Sequence, residues 1–323
     1  MTSPNSIFTE LVSTTFRNQR KEIVDNVSKN NALYRMMGKN KKVRTESGGT
    51  EIAIPLEYAS NVTYQRYSGL DILNVAQSDV ITAAAFQWRQ IAIHVVASGR
   101  ELLINNGPEK IASLAKGRMR NAMHTFANNF SSDMYSDGTL SNQIGGLQLL
   151  VADTGLGTVG GINAATWGFW QNQVQSAAAP MQGGAAIIPG PTTMESLMLP
   201  LYIGLTRGGD HTDLIVSSDE YYAYYEQGLT QYKRYVNEDS AMGGFMNLKY
   251  KAATVVHDGV SGRPAAHMYF LNTNYLEMVA HTDANLTVAE DVRPFNQDGV
   301  VTPILWMGNM TVSNRFLQGV LKA

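Results

Sequence analysis

The chain of 323 residues has no cysteine and few charged residues. Without cysteine it has no disulfide bond, no thiolate nucleophile and no cysteine-ligated zinc site. Charged side chains make up only 16% of the residues, against roughly a quarter in an average soluble protein. A surface poor in charge is expected where much of it contacts other subunits, although a large monomer with a deep core has the same property.

The sequence also lacks long apolar runs. No stretch approaches the 18 or more apolar residues of a membrane span. The N-terminus lacks the basic start and apolar core of a secretory signal. We therefore expect a cytoplasm-like compartment and no membrane partner.

Basic residues are concentrated near the N-terminus. Residues 1–44 carry nine basic and three acidic side chains, whereas the whole chain has a formal net charge of −2. A basic arm on an acidic body is typical of a segment that faces a polyanion or an acidic neighbour, but a solvated helix has the same composition. The candidates for such a contact include Arg17, Arg20, Lys21, Lys39, Lys41, Lys42 and Arg44.

Residue periodicity predicts an arm followed by a long hairpin. A helix is expected from Ser3, and a second short helix over 31–38. Ile52, Ile54 and Leu56 alternate with exposed positions and predict a strand, in which Pro55 requires an edge or a bulge. A second arm is predicted over 84–95. The broad tip between the two arms holds Tyr64, Arg66, Tyr67 and Asp71.

A long helix and a mixed body follow. Apolar residues at helical spacing predict a helix from Gly107-Pro108 to Asp137-Gly138, about 28 residues and roughly 40 Å long. Short strands are predicted over 214–216, 252–257, 267–271 and 275–280, with further strand at the C-terminus. The tyrosine-rich segment 221–235 is predicted to pack in the core and at interfaces. Separated helices and short strands indicate an α+β fold.

One glycine motif suggests a dinucleotide site. Gly155, Gly157 and Gly160 have the G-x-G-x-x-G order, and the preceding LQLLV is compatible with a strand. A dinucleotide fingerprint also needs a helix opening from the glycines and an acid about 20 residues later. No amphipathic helix pattern follows, and the next acid is Glu195. A glycine-rich loop is therefore favoured, and a nicotinamide-dependent oxidoreductase is the remote alternative.

Other catalytic and metal motifs are missing. The sequence has no phosphate-binding loop, nucleophile elbow or H-E-x-x-H pair. The pairs His211/Asp213 and His281/Asp283 each lack a third ligand. We therefore predict no enzymatic activity, no cofactor and no metal.

The element order and four phrases resemble the major capsid proteins of tailed bacteriophages. ALYRMMGKNKKVRTESGGTEIAIPLEY resembles the passage from arm into hairpin, and VSNRFLQGVLKA resembles the C-terminal end. LIVSSDEYYAYYEQGLTQYKRY and YFLNTNYLEMVAH resemble body segments. These proteins have the Hong Kong ninety-seven-type fold.

The resemblance implies a domain organisation. Residues 1–44 would be the N-terminal arm and 45–96 the extended hairpin loop. Residues 97–145 and 286–323 would form a peripheral domain with the spine helix, and 146–285 an axial domain. The tip residues, including Arg66 with Asp71, would contact neighbouring subunits.

The resemblance also implies a function and partners. The chain would assemble with itself into pentamers and hexamers of an icosahedral shell around double-stranded DNA, bound without sequence preference. A separate scaffold, a portal and cement or decoration proteins are expected, in a virion capsid assembled in the bacterial cytoplasm. The alternative within the same fold is an encapsulin-like compartment shell. The tip has no lysine, which disfavours a lysine–asparagine crosslink from it.

Overall fold

The computed structural model describes residues 32–104, 113–231, 248–259 and 262–323. The predicted first helix of the arm lies outside these residues, as do Arg17, Arg20 and Lys21. The predicted start of the spine helix at Pro108 also lies outside them.

Helices and strands are separated along most of the described chain, as an α+β fold requires. The helices are α1 Ala32–Lys39, α2 Gly99–Ile104, α3 Ser113–Asp133, α4 Leu147–Leu150, α5 Met194–Gly204 and α6 Asp219–Gln231. The strands are β1 Val43–Glu46, β2 Glu51–Glu57, β3 Ile81–Gln87, β4 Arg89–Ser98, β5 Thr158–Val159, β6 Ile162–Asn163, β7 Gln173–Ser176, β8 Leu214–Ser217, β9 Leu248–Tyr250, β10 Ala253–His257, β11 His267–Leu271, β12 Leu276–His281, β13 Thr287–Val288, β14 Gly299–Val312 and β15 Gly319–Lys322.

The predicted hairpin is present, but its second arm is shorter than predicted. Strands β2 and β3 pair antiparallel from Glu51–Gln87 to Glu57–Ile81, and Pro55 lies in this two-stranded sheet at an edge. The predicted continuation over 89–95 pairs instead with the C-terminal strand β14. The chain turns just before β2, where Gly48 and Gly49 have positive φ values of 89° and 97°, and the pairing of the hairpin ends at Glu51 and Gln87.

The spine helix ends earlier than predicted. Helix α3 ends at Asp133, not at Asp137. The amide of Tyr135 donates to the carbonyl of Ser132 at 3.1 Å, which tightens the last turn. The fully buried Tyr135 then donates its hydroxyl hydrogen to Asp258 at 2.7 Å. The backbone leaves the helical conformation where the Tyr135 side chain becomes buried.

The spine helix packs on a five-stranded sheet. Strands β1, β12, β14 and β13 lie in that order, and β4 also pairs with β14. The α3 side chains Met119, Phe126 and Phe130 are buried, as the predicted stripe requires. The ring of Phe130 meets Trp306 of β14 edge-on at 5.0 Å. This cluster forms the larger of the two cores.

A six-stranded sheet forms the rest of the body, in the order β7-β15-β11-β8-β10-β9. Successive residues of a strand face opposite sides. Accordingly Leu214 and Val216 lie in the larger core, whereas Ile215 packs with α5 and α6 in a second core. Tyr221 and Tyr225 are buried in this second core, which confirms core packing for these two rings.

Two strands cross the predicted domain limits. Strand β15 lies in the six-stranded sheet, although 286–323 was predicted to accompany the spine helix. Strand β12 lies in the five-stranded sheet, although it falls within 146–285. Pairing partners distant in sequence decide both positions, and neither strand carries a local signal of its partner.

Candidate functional site

The hairpin tip is the most exposed apolar part of the described chain. Eight large apolar side chains between 62 and 81 are exposed, and Leu70 is as accessible as in an extended peptide, at 102%. They are Val62, Tyr64, Tyr67, Leu70, Ile72, Leu73, Val75 and Ile81. An apolar patch of this extent marks a contact surface, because a soluble monomer rarely leaves one open to water.

Side-chain amides hold the tip in one shape without a backbone ladder. Gln65 donates to the carbonyl of Ile72 at 3.0 Å and accepts from the amide of Asn74 at 2.9 Å. The Asn74 side chain donates to the carbonyl of Val62 at 3.1 Å. At the neck, the amide of Val62 donates to Ser78 Oγ at 3.3 Å. The apolar side chains are therefore displayed on a preformed loop.

The two charged tip residues, Asp71 and Arg66, differ in their contacts. Asp71 accepts from the amide of Ser68 at 2.8 Å and so has a role inside the tip. Arg66 is exposed, and no acidic partner for it exists among the described residues. That Arg66 and Asp71 form ion pairs with neighbouring subunits stays a prediction.

An open groove of about 880 Å³ lies at the base of the hairpin. One wall is strand β3, and the other is the turn Gly160–Asn163. Three rings in mutual contact complete it: Tyr58 lies 5.5 Å from Trp167 and 6.1 Å from Phe169. Trp167 is 47% exposed, so the groove presents an accessible aromatic surface.

The glycine motif supports this groove and has no dinucleotide geometry. Gly155, Gly157 and Gly160 all have positive φ, and the small hairpin β5–β6 begins inside the motif, where a dinucleotide site would have a helix after it. The preceding LQLLV is a helical turn, not a strand, because Leu147 and Leu150 are buried together at a spacing of three. A Cβ at Gly160 would lie 2.8 Å from that of Ala84, so the glycine lets β3 approach.

A buried arginine holds the glycine loop in place. Arg315 has no accessible surface, and none of the carboxylates in the described part of the chain forms an ion pair with it. Its guanidinium donates to the carbonyls of Leu150 at 2.7 Å, Leu156 at 2.8 Å and Trp170 at 3.3 Å. Burial lowers the pKa of Arg315 to about 10, so it stays charged at neutral pH. Sequence inspection gave no signal for this role.

A pair formed by His267 and Asp153 holds the start of the same loop. His267 Nε2 lies 3.0 Å from Asp153, and its Nδ1 lies 2.6 Å from the carbonyl of Ala265. Because both partners accept, the doubly protonated ring is favoured. Burial by itself lowers the pKa of His267, but these two hydrogen bonds outweigh it and the pKa is raised. The hydrogen bond from His267 lowers the pKa of Asp153.

This pair predicts a pH-dependent cost for Asp153→Asn. The ionised Asp153 stabilises the fold above about pH 3.9, the pKa of an aspartate in the unfolded chain. The protonated His267 also stabilises the fold, and its contribution is lost as the pH rises through the raised pKa of the histidine. We expect a loss below about 1 kcal/mol near pH 5.5, since Asp153 is partly exposed to water. The loss should shrink near pH 9.

Urea unfolding at the two pH values measures the difference. Asp137→Asn is the matched control, because the Asp137 carboxylate accepts from Thr139 and contacts no histidine. An Asp153→Asn cost that grows with pH would contradict the assignment.

The described basic candidates lie at the end of α1 and in the segment that follows it. Leu33 near the start of this helix donates its amide hydrogen to Asp258 at 3.3 Å, and burial raises the pKa of Asp258. Lys39 and Lys41 are exposed, and the carbonyl of Lys42 accepts from Met278 at 2.9 Å. Arg44 differs, because it pairs with Glu46 at 2.8 Å and Glu277 at 3.2 Å. Its charge is therefore already balanced within the chain.

Two further properties concern metals and membranes. Among the described residues no cluster of three candidate metal ligands occurs. Asp213, one of the paired candidates, accepts from the amide of Thr273 at 2.8 Å, and His281 caps a short helical turn at Thr282–Ala284. In the same part of the chain no helix is long and apolar enough to cross a bilayer.

Solved structures with similar folds are capsid and compartment shells, while no family model and no curated protein matches the sequence. The capsid of cyanophage A-1(L) is 17% identical with a TM-score of 0.62, covering 98% of this chain and 95% of that chain. The capsid of a native GTA particle is 13% identical with a TM-score of 0.56, covering 99% and 94%. The chain has the Hong Kong ninety-seven-type capsid fold.

The capsid fold also occurs in a bacterial compartment shell. The holo-SrpI encapsulin complex from Synechococcus elongatus is 8% identical with a TM-score of 0.54, covering 88% of this chain and 86% of that chain. The fold predicted from element order is therefore confirmed. The predicted position of the tip residues between two paired strands agrees with the structure, whereas the groove gave no signal in the sequence, because its walls are about 75 residues apart along the chain.

Proposed function

We propose that this chain is the major capsid protein of a tailed bacteriophage and forms the icosahedral shell around its double-stranded DNA. The observation that carries the proposal is the preformed hairpin tip, whose apolar side chains have no cover within the described chain. Similarity in fold to phage capsids along nearly the whole chain supports it. The chain has no enzymatic role in this proposal.

The predicted organisation into arm, hairpin, peripheral and axial domains remains part of the proposal. We propose a partner for each of two surfaces. The tip contacts other copies of the chain, and Lys39, Lys41 and Lys42 face packaged DNA through phosphate contacts without sequence preference. The arm residues Arg17, Arg20 and Lys21 also face DNA in this proposal. Arg44 does not, because it forms ion pairs with Glu46 and Glu277. Scaffold, portal and cement proteins are further proposed partners.

Electron microscopy of the purified chain tests the shell role. We expect closed hollow particles, and a monodisperse monomer at high concentration would contradict the proposal. Particles from host cells should contain nuclease-protected DNA. Substituting Lys39, Lys41 and Lys42 by glutamine should lower that DNA severalfold without changing the melting temperature.

An encapsulin-like compartment is the second candidate, because the encapsulin structure shares the fold. The two candidates differ in cargo. A shell that encloses a protein and no genome-length DNA favours the compartment.

A further inference from the structure

Strand β3 has an open edge that faces the groove. The amide of Tyr58 donates to the carbonyl of Val80 at 3.0 Å, so even-numbered residues of β3 pair with β2. Odd-numbered residues therefore point their backbone groups away, and Ala85 donates to the carbonyl of Gly160 at 3.0 Å. In the described chain no hydrogen bond engages the outward groups of Ile81 and Ala83. This edge can accept another extended segment.

The hairpin tip has a matching free edge. Gln65 engages the carbonyl of Ile72 and the amide of Asn74, so both face the inside of the tip. The backbone groups of Leu73 between them face outward, and no hydrogen bond within the described residues engages them. Ile72 and Val75 are exposed beside it. The tip thus offers an apolar segment in which the backbone groups of Leu73 are open to a partner.

Charge is complementary between the two surfaces. Arg66 of the tip has no acidic partner in the described chain, and the exposed Asp79 at the groove has no basic one. A tip seated in a groove would bring these two charges together. Asp71 is less suited as the partner, because it already accepts from Ser68.

The segment that fills the groove comes from a second copy of the chain, because within one copy the tip and the groove belong to the same hairpin. The contact at Val62 and Ser78 holds the neck, and about eight residues beyond it span roughly 25 Å when extended. Folding back would break the amide network of the tip. Contacts between different surfaces of identical chains repeat head to tail, and they form a ring when the rotation between copies closes and a filament when it does not.

We propose that the tip of one copy docks in the groove of the next copy, with Leu73 pairing to the Ile81–Ala83 edge and Arg66 to Asp79. This inference rests on the proposed shell function and specifies which surfaces meet. The apolar tip side chains then lie against Tyr58, Trp167 and Phe169. Ring closure through this contact would link the subunits of one capsomer.

Disulfide trapping tests the contact directly, because the natural chain has no cysteine. Full-length Leu73→Cys and Ala83→Cys chains are co-assembled and oxidised. We expect a covalent dimer only in the mixture, and a ladder of oligomers from the double variant. Ile188→Cys, exposed but outside the hairpin, is the matched partner that should not trap Leu73→Cys. Particles with no trapped pair, or with equal trapping to Ile188→Cys, overturn the inference.

Charge reversal gives a second test that does not depend on cysteine. Arg66→Asp or Asp79→Arg alone should lower particle yield by about tenfold, a change equivalent to 1.4 kcal/mol. The double variant should recover to within about twofold of the natural chain, because opposite charges meet again. Arg66→Asp with Asp71→Arg should not recover. Recovery with Asp71, or with neither partner, overturns the proposed pair, whereas absence of particles from the natural chain refutes the shell function itself.

Discussion

Deleting Asn61–Gln77 is expected to abolish closed particles while leaving a soluble, folded chain. The deletion removes seven of the eight exposed apolar side chains and no member of either core. It leaves four residues between Tyr58 and Val80, a common length for a hairpin loop. The β2–β3 pairing, the groove and both sheets should therefore be retained.

Two measurements check this expectation. The melting temperature should stay within about 3 °C, because a loop without burial contributes little to stability. Negative-stain microscopy should show no shells. Ile188→Ser is the control, since it removes an exposed apolar side chain elsewhere and should assemble normally. Shells like those of the natural chain from the deletion variant would refute the assembly role of the tip.

Replacing Arg315 by methionine is expected to lower the free energy of unfolding far more than Asp153→Asn does. The buried carbonyls of Leu150 and Trp170 and the partly buried carbonyl of Leu156 would lose their donor. An unsatisfied buried acceptor costs about 1–3 kcal/mol, and the chain relaxes in part, so we expect a total of about 3–5 kcal/mol. Arg315→Lys should recover little, because an ammonium cannot reproduce the planar spread of the guanidinium donors.

Thermal unfolding measures this cost. A fall of roughly 10 °C is expected for Arg315→Met. Arg207→Met is the matched control, because the exposed Arg207 guanidinium lies 4.1 Å from the Phe316 ring centre and contributes at most about 1 kcal/mol. Equal melting of the two variants would show that the buried guanidinium does not hold the glycine loop.

The loss should extend to assembly. The loop that Arg315 holds forms one wall of the groove and contacts β3 through Gly160. A partly folded Arg315→Met chain should therefore form fewer particles than Arg207→Met at the same concentration. This result would link a buried residue in the C-terminal segment to a surface at the hairpin base.

Sequence periodicity predicted the regular elements well where one face of the element is buried. The stripe on α3 and the alternation in β2 follow the helical and strand periods, and both faces lie where the pattern indicated. The pattern was wrong where the two periods are indistinguishable over a few residues. LQLLV has two buried leucines at a spacing of three, and the same letters suit a short buried strand.

The candidate tip residues were predictable for a simple reason. Tyr64, Arg66, Tyr67 and Asp71 fall between two paired strands, and a loop between such strands projects from the sheet. The groove was not predictable, because it needs the β3 edge and the turn after Val159 side by side. Only the hydrogen bond from Ala85 to Gly160 and the contact with Ala84 bring them together.

The sequence by itself determined the absence of cysteine chemistry, the basic N-terminal stretch, the hairpin and the existence of a long helix. These properties depend on composition and on spacing within a few residues, which local sterics and burial decide. The tertiary structure decided that β4 pairs with β14, that β15 joins the six-stranded sheet and that Gly160 of the glycine motif lies against strand β3. Such pairings join residues up to about 220 positions apart, and the free energy of their contacts depends on partners that no local pattern specifies.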